Sequence, residues 1–271
     1  MFAGARYLAF ALLFICSTSY ASDDKAQAHD SHSAQSPPST KSSGENSGEP
    51  FVGPPSEAKK LYKRYKKAHD KTIIAIACVR DPKCADPEDE VLRHSKEALR
   101  ILQKLDQLAK EGDIQANYYR GYIAYERGLF YDSQAEAVAH PDFILTATVF
   151  RRYAKEQFTL AEKYLSVPAK QKNPSACRYL GNIYSSTIIA APQKEKATNY
   201  YYTAAIEYLN QGNKIEAAKM YNAMKQNADP ADYRIVQVYA KLHNEEPIAS
   251  WRKLPKDLEP LAKTKKSQSH E

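Results

Sequence analysis

The sequence predicts an all-α protein, an α-solenoid of antiparallel helix pairs preceded by a helical hairpin. From residue 56 onward, apolar side chains recur every three or four positions, and no segment alternates as a half-buried strand would. Gly, Pro, Asp and Asn stand between these segments, as expected of helix ends. A pattern also recurs at an offset of 60 residues, which indicates stacked units: Ala116, Tyr119, Gly121 and Ile123 correspond to Ala176, Tyr179, Gly181 and Ile183.

The first 21 residues have the pattern of an export signal. Arg6 precedes ten apolar residues at 7–16, and small residues at positions 19 and 21 favour cleavage before Ser22. The apolar run is shorter than the ~20 residues that a membrane span needs. Cys16 raises the alternative of a lipoprotein, but Ile15 stands where a lipobox has a small residue. We therefore expect an exported protein, in the periplasm or secreted.

Residues 22–55 are predicted to be a disordered linker. They contain eight serines and two Pro-Pro pairs, and Phe51 and Val52 are their only large apolar residues. Such a segment buries too little surface to offset the entropy of ordering. At the other end of the chain, residues 251–271 form a basic tail that we also expect to be frayed.

Residues 56–112 are predicted to form the N-terminal hairpin. The first helix covers 57–78, and the second begins at Asp86-Pro87 with acidic residues in its first turn and closes at Gly112. The apolar stripe of the first helix comprises Leu61, Tyr65, Ala68, Thr72, Ile73 and Ile76.

Three cysteines remain after the signal. Cys78 and Cys84 flank the turn between the hairpin helices, and export permits a disulfide, so we predict that they pair. Two unpaired thiols are the alternative. Cys177 is left over within the repeated pattern, where a buried small hydrophobic residue is expected. The seven histidines are scattered, and the sequence supports neither a metal site nor a cofactor.

Six helices are predicted between residues 113 and 250, which we assign to a helical repeat domain. Asp113 caps the first helix and Gly128 is expected to end it, so that residues 129–140 become an irregular connection. Val167-Pro168 is expected to stop the second helix. The later boundaries follow from the same signals, with helices over 141–165, 173–187, 192–210, 216–227 and 230–243 and with Asn173, Gly212 and Asp229 at helix ends.

One motif spans two of these helices. Its residues are Ala176, Leu180, Gly181, Ile183 and Tyr184, followed by Ala197, Tyr201, Ala204 and Ala205. This motif resembles a Sel-one-like repeat, a branch of the tetratricopeptide-type helical repeats. A looser copy begins at Ala116, and its glycine-to-alanine separation is 33 residues (121 to 154) against 16 (181 to 197) in the better copy. The looser copy therefore carries a 17-residue insertion around Leu129–Pro141.

The resemblance implies stacked helix pairs over roughly residues 113–243. A third unit, from Glu216 to Leu242, lacks the glycine and is expected to be a terminal cap. Glycine within a helix costs about 1 kcal/mol relative to alanine. The repeated glycine therefore predicts close approach of a neighbouring helix, with a bulky Tyr or Phe beside it.

Tyrosine is abundant, with 20 residues in the chain. Three adjacent aromatics such as 200–202 span about 200° of a helix, so at least one is expected at the surface, where tyrosine is a favoured anchor for partners. Packing between repeats remains the alternative for most of them. The candidates for partner binding are Tyr118, Tyr122 and Tyr200.

The first helix also presents a basic face, from which Lys63, Arg64 and Lys67 are further binding candidates. Anionic lipid, a cell-wall polymer or an acidic protein would suit it, whereas nucleic acid is not expected for an exported protein. A solvated helix face is the alternative.

Motifs of catalysis are missing, including G-x-S-x-G, H-E-x-x-H and a Gly-rich phosphate loop. We therefore expect no enzyme, although a hydrolase is kept as the lesser alternative. The function expected is binding of a partner protein, as an envelope scaffold or assembly factor. The resemblance adds the alternative of an immunity protein that neutralises a toxin in the periplasm.

Overall fold

The computed structural model describes residues 56–79, 87–140, 143–188, 191–229 and 232–245. These ranges contain eight α-helices and no strand: α1 (Glu57–Cys78), α2 (Pro87–Lys110), α3 (Ile114–Ala137), α4 (Ile144–Lys170), α5 (Pro174–Ser185), α6 (Lys194–Asn210), α7 (Lys214–Asn227) and α8 (Tyr233–His243). The predicted all-α fold is confirmed. The chain divides into two compact units at Tyr119/Arg120, within α3.

The first unit contains α1, α2 and the first turns of α3. Ser56 caps α1 by accepting a hydrogen bond from the backbone N–H of Lys59. Helices α1 and α2 pack against each other, as the predicted hairpin requires. The start of α3 joins them because the rings of Tyr62 and Tyr119 stack at 4.6 Å and because the Asn117 side chain donates to the carbonyl of Ala109.

The second unit contains the rest of α3 and helices α4–α8. Its helices pack in chain order, α4 on α5, α5 on α6, α6 on α7 and α7 on α8, and α6 also contacts α8. Arginines strengthen two of the contacts between alternate helices. Arg178 on α5 donates to Glu216 on α7 at 2.9 Å, and Arg234 on α8 pairs with Glu195 on α6 at 2.9 Å.

The joints α2–α3, α4–α5 and α6–α7 have the same geometry. The residue before each cap has a positive φ: Gly112 (94°), Lys172 (58°) and Gly212 (73°). The residue that follows, the cap, is Asp113, Asn173 or Asn213. Its backbone N–H donates a hydrogen bond to the carbonyl five residues earlier, and its side chain accepts one from the backbone N–H three residues later. Such a turn satisfies both a C-terminal carbonyl and an N-terminal amide. The joints are spaced 60 and 40 residues apart, which matches a repeat lengthened in its first copy.

The two repeated glycines lie where neighbouring helices approach closely, as predicted. A Cβ at Gly181 would lie 2.6 Å from the ring of Tyr201 on α6, and a Cβ at Gly121 would lie 2.7 Å from Leu165 Cγ on α4. These distances are too short for a methyl group, so both positions need glycine. The neighbour at Gly121 is a leucine rather than the expected aromatic.

Gly128 does not end its helix, and residues 129–137 are not irregular. Helix α3 continues to Ala137, and a Cβ at Gly128 would lie 2.9 Å from the Phe158 ring. The glycine is required by this contact, not by a turn.

Helix α4 also continues past its predicted end and runs through Pro168 to Lys170. A proline removes one backbone hydrogen bond. The helix ends two residues after Pro168, whose carbonyl accepts a hydrogen bond from the backbone N–H of Asn173.

Smaller corrections concern helix ends and the face of α1. Helix α5 ends at Ser185, and α8 is capped by Asp232 instead of Asp229. Ile73 is not buried in α1 as the stripe predicted, because Ala75 takes the inward position and leaves Ile73 45% exposed. Helix ends commonly shift by one or two residues because fraying competes with capping.

Cys177 is buried, as predicted. Its thiol lies 3.8 Å from the carbonyl of Ala169, eight residues earlier, and the equivalent residue in the first copy, Asn117, makes the same contact with Ala109.

Cys78 has a free thiol, so the structure does not support the predicted disulfide; Cys84 lies outside the described residues. The predicted signal, the linker and the basic tail also lie outside them.

Candidate functional site

The six predicted binding residues fall in both units. Lys63, Arg64 and Lys67 lie on the exposed face of α1. Tyr118 belongs to the same unit, whereas Tyr122 and Tyr200 are half-buried in the second unit.

Tyr118 is not a surface residue, because only 5% of it is exposed. Its ring lies edge-on to Tyr119 at 5.3 Å. The prediction assumed that a helix is covered on one side only. The start of α3 contacts both α1, through Tyr119, and α2, through Asn117, so a wider arc of the helix is buried.

Tyr122 lies between helix pairs. Its ring is 5.2 Å from that of Tyr179 on α5, and Tyr179 also approaches Tyr125 at 4.8 Å. Aromatic contacts of this length add to the stability of packing. The half-buried position of Tyr122 leaves part of the side chain accessible, but its contacts are those of a residue between repeats.

Tyr200 belongs to a cluster that joins α4, α5 and α6. Its ring stacks on Tyr184 at 5.5 Å, and the Tyr184 hydroxyl donates to Glu162. Lys196 lies over the Tyr184 ring at 3.7 Å and approaches Glu162 at 3.8 Å. Burial, with smaller contributions from Cys177 and Glu162, raises the pKa of Tyr200. Tyr200 is thus a half-exposed aromatic beside paired charges, and it remains available to a partner.

The sequence did not predict the polar network between α3, α5 and α6. The Asn182 amide donates to Tyr125 at 2.9 Å and accepts from Tyr201 at 2.9 Å, and the Tyr201 and Ser185 hydroxyls are 3.1 Å apart. Burial raises the pKa of Tyr125, which the hydrogen bond from Asn182 only partly opposes. No sequence signal could have identified the network, because an asparagine inside a helix has no preferred partner until the neighbouring helices are in place.

Exposed apolar side chains are concentrated on the inserted part of the first helix pair. Five of the eleven large apolar residues exposed in the described chain lie within positions 129–145, and Leu145 is 79% exposed. We call these five residues the α3–α4 apolar surface: Leu129, Phe130, Phe143, Ile144 and Leu145. Isolated exposed apolar residues are normal, whereas large exposed apolar patches mark interaction sites, so these five residues are the candidate site for partner binding.

Two acidic residues and an arginine, Arg151, lie beside this surface. Asp132 and Glu136 lie on the same part of α3. Burial and the nearby Glu136 carboxylate raise the pKa of Asp132, and Arg151 opposes them. The region therefore combines apolar side chains with two acidic residues and a nearby arginine.

Neither a metal-binding cluster nor a membrane span is found in the described ranges. No group of three or more His, Cys, Asp or Glu side chains there is arranged to hold a metal ion. None of the described helices is long and apolar enough to cross a membrane.

Comparisons with known proteins give no relative from which a function could be transferred. No protein-family model, no curated protein and no solved structure matches the chain.

Proposed function

We propose that the chain is an exported helical-repeat protein that binds another protein, as a scaffold or assembly factor of the cell envelope. The observation that carries this proposal is the α3–α4 apolar surface. Exposing large apolar side chains to water is unfavourable, and burying one against a partner contributes about 1.5–3 kcal/mol. A protein that has lengthened one helix pair and placed such side chains on it gains this energy only on binding.

We also assign the repeat domain to the Sel-one-like branch of the tetratricopeptide-type repeats. Support comes from the joints spaced 60 and 40 residues apart and from the Gly181–Tyr201 contact, which involves two residues of the motif. In this assignment α3–α4, α5–α6 and α7–α8 are successive repeats, and the first of them carries the insertion.

The acidic neighbours of the surface indicate the character of the partner. Asp132 and Glu136 would oppose an acidic partner and favour a basic one, because charge complementarity guides association. We therefore expect a partner with apolar anchors next to Lys or Arg. Tyr200, beside Lys196 and Glu162, is a second contact candidate. Capture of the partner is stoichiometric and involves no chemistry on it.

The test uses the chain from Ser22, immobilised and exposed to envelope extract, followed by purification of whatever binds in stoichiometric amount. The double variant Phe143→Ser/Leu145→Ser is expected to raise the Kd of that partner about 10- to 100-fold, because two anchors are lost. The matched control is Ile215→Ser/Tyr233→Ser, which removes two exposed apolar side chains from other helices and should leave the Kd unchanged.

The identity of the partner separates the two roles. Several envelope components would support the scaffold, and a single toxin whose activity is blocked would replace it with the immunity role. If no stoichiometric partner is found, or if both double variants weaken binding equally, the proposal fails.

A further inference from the structure

Helix α1 carries a row of exposed cations that ends in an exposed isoleucine. Lys60, Lys63, Arg64, Lys67 and Lys71 each lie three or four residues from another member of the row, and Ile74 continues the row with 64% of its surface exposed. The buried residues of α1 occupy the opposite face: Ala58, Leu61, Tyr65, Ala68, Thr72 and Ala75. The row therefore faces solvent along most of a 22-residue helix, which is about 33 Å long.

These cations are scarcely neutralised by other residues of the described ranges. Arg64 approaches Glu97 at 3.8 Å, with both side chains about half exposed. Lys63 and Lys67 form no ion pair with any residue of the described ranges. Asp70 is the one acidic residue between Lys60 and Ile74, and its neighbour His69 lies 3.9 Å away. The face keeps a strong positive charge.

Ile74 distinguishes this face from a solvated basic helix. Its side chain is exposed one helical turn beyond the last lysine of the row, Lys71. A bilayer surface offers partners for both features, since its phosphate groups attract Lys and Arg and its acyl boundary accepts apolar side chains. We propose that α1 docks this protein on the surface of an anionic phospholipid bilayer, with the cations on the headgroups and Ile74 in the interface.

A dissolved polyanion, such as an acidic polymer, would neutralise the cations but would not bury the apolar side chain of Ile74. The proposal does not depend on partner binding at the α3–α4 apolar surface, because it concerns residues of a different unit. It also needs no membrane span, since the inward face of α1 stays packed on α2.

The test measures cosedimentation of the chain from Ser22 with vesicles that contain about one-third phosphatidylglycerol, and with vesicles of phosphatidylcholine alone. Binding is expected only to the anionic vesicles and should disappear near 1 M NaCl, where the Debye length is about 3 Å. Lys63→Gln/Arg64→Gln/Lys67→Gln should lower the partition coefficient about 100-fold, since each cation contributes about fivefold. The control Lys155→Gln/Lys163→Gln/Lys170→Gln removes three exposed lysines from α4 and should change it much less.

A fluorescence measurement tests the apolar part. The chain has one tryptophan, Trp251, so Trp251→Phe/Ile74→Trp carries a single reporter on α1. Its emission should shift to the blue with anionic vesicles, whereas Trp251→Phe/Ile215→Trp should not shift. The proposal would be overturned by an equal loss of vesicle binding in the two triple variants, or by binding to the neutral vesicles. It would also be overturned if the tryptophan emission shifted with a soluble acidic polymer but not with vesicles.

Discussion

At the scale of single residues, three equivalent turns show what a backbone conformation demands of a side chain. Gly112 and Gly212 adopt positive φ without steric cost, because they lack a Cβ. Lys172 adopts the same conformation at 58° in the second turn. A left-handed conformation costs an ordinary residue about 1–2 kcal/mol. The second turn therefore contains backbone strain that the other two lack. The flanking helices and the Asn173 cap hold Lys172 in this conformation.

Replacing Lys172 with glycine should release this strain. Lys172→Gly is expected to raise the free energy of unfolding by about 0.5–1 kcal/mol, since glycine also gives the unfolded chain more freedom. Lys170→Gly, two residues earlier in the last turn of α4, should instead lower it by up to about 1 kcal/mol. Urea denaturation followed by circular dichroism measures both. If the two substitutions change the free energy of unfolding in the same direction, the left-handed conformation of Lys172 is wrong.

At the scale of elements, the helix pairs are positioned by close contacts at glycine. Gly181 lets α5 approach the Tyr201 ring on α6, and Gly128 does the same between α3 and Phe158 on α4. The segment predicted to be an irregular insertion lengthens two helices instead, since α3 and α4 have 24 and 27 residues against 12 and 17 for α5 and α6. Ala135 and Ala147, both buried, continue the packing into the lengthened part.

Gly181→Ala should therefore destabilise the protein although alanine is the better helix former. Intrinsic propensity alone predicts a gain of about 1 kcal/mol. The clash with Tyr201 should outweigh it and leave a net loss of about 1–3 kcal/mol, a range typical of overpacking. In a Tyr201→Ala background, the same substitution should become neutral or favourable, and a double-mutant cycle by urea denaturation measures the coupling. A gain in stability in the wild-type background would show that the two helices are farther apart than described.

At the scale of the whole molecule, buried tyrosines make the fold sensitive to alkali. Burial raises the pKa of Tyr125, Tyr179, Tyr201 and Tyr208 above the usual value near 10, although hydrogen bonds or Arg178 partly oppose it at each of them. Above pH 10 the unfolded chain releases these protons while the folded chain retains them. The unfolded state then binds fewer protons, so stability falls as pH rises.

The free energy of unfolding should accordingly begin to fall near pH 9, where the Cys177 thiol ionises in the unfolded chain, because burial raises the pKa of this thiol to about 12 in the folded chain. It should fall more steeply above pH 10, by up to about 1.4 kcal/mol per pH unit for each tyrosine that stays protonated. Urea denaturation at successive pH values measures the fall, and absorbance at the tyrosinate band reports ionisation. Tyr125→Phe should reduce the slope above pH 10. Titration of all tyrosines near pH 10 with helicity retained would contradict the burial that raises these pKa values.

Much of the fold could be predicted because helix signals are local. Asp113 and Asn173 cap the helices that were assigned to them, Gly112 and Gly212 close the joints, and the recurring Gly121 and Gly181 indicated close helix contacts. A cap acts on an amide three residues away, and an apolar stripe is set by the helical period. Such features depend on a few neighbouring residues, so the order of residues is sufficient to reveal them.

The candidate site could be predicted only in part, because exposure depends on what covers each helix. The sequence alone determined the helix order, the repeat and the cationic face of α1. Only the tertiary structure decided that Tyr118 is buried, that Gly128 continues a helix and that residues 129–145 present an apolar surface. The physical reason is that glycine serves a turn and a close contact equally well, and a tyrosine suits both core and surface. Their roles are decided by the neighbouring helices, which are distant in sequence.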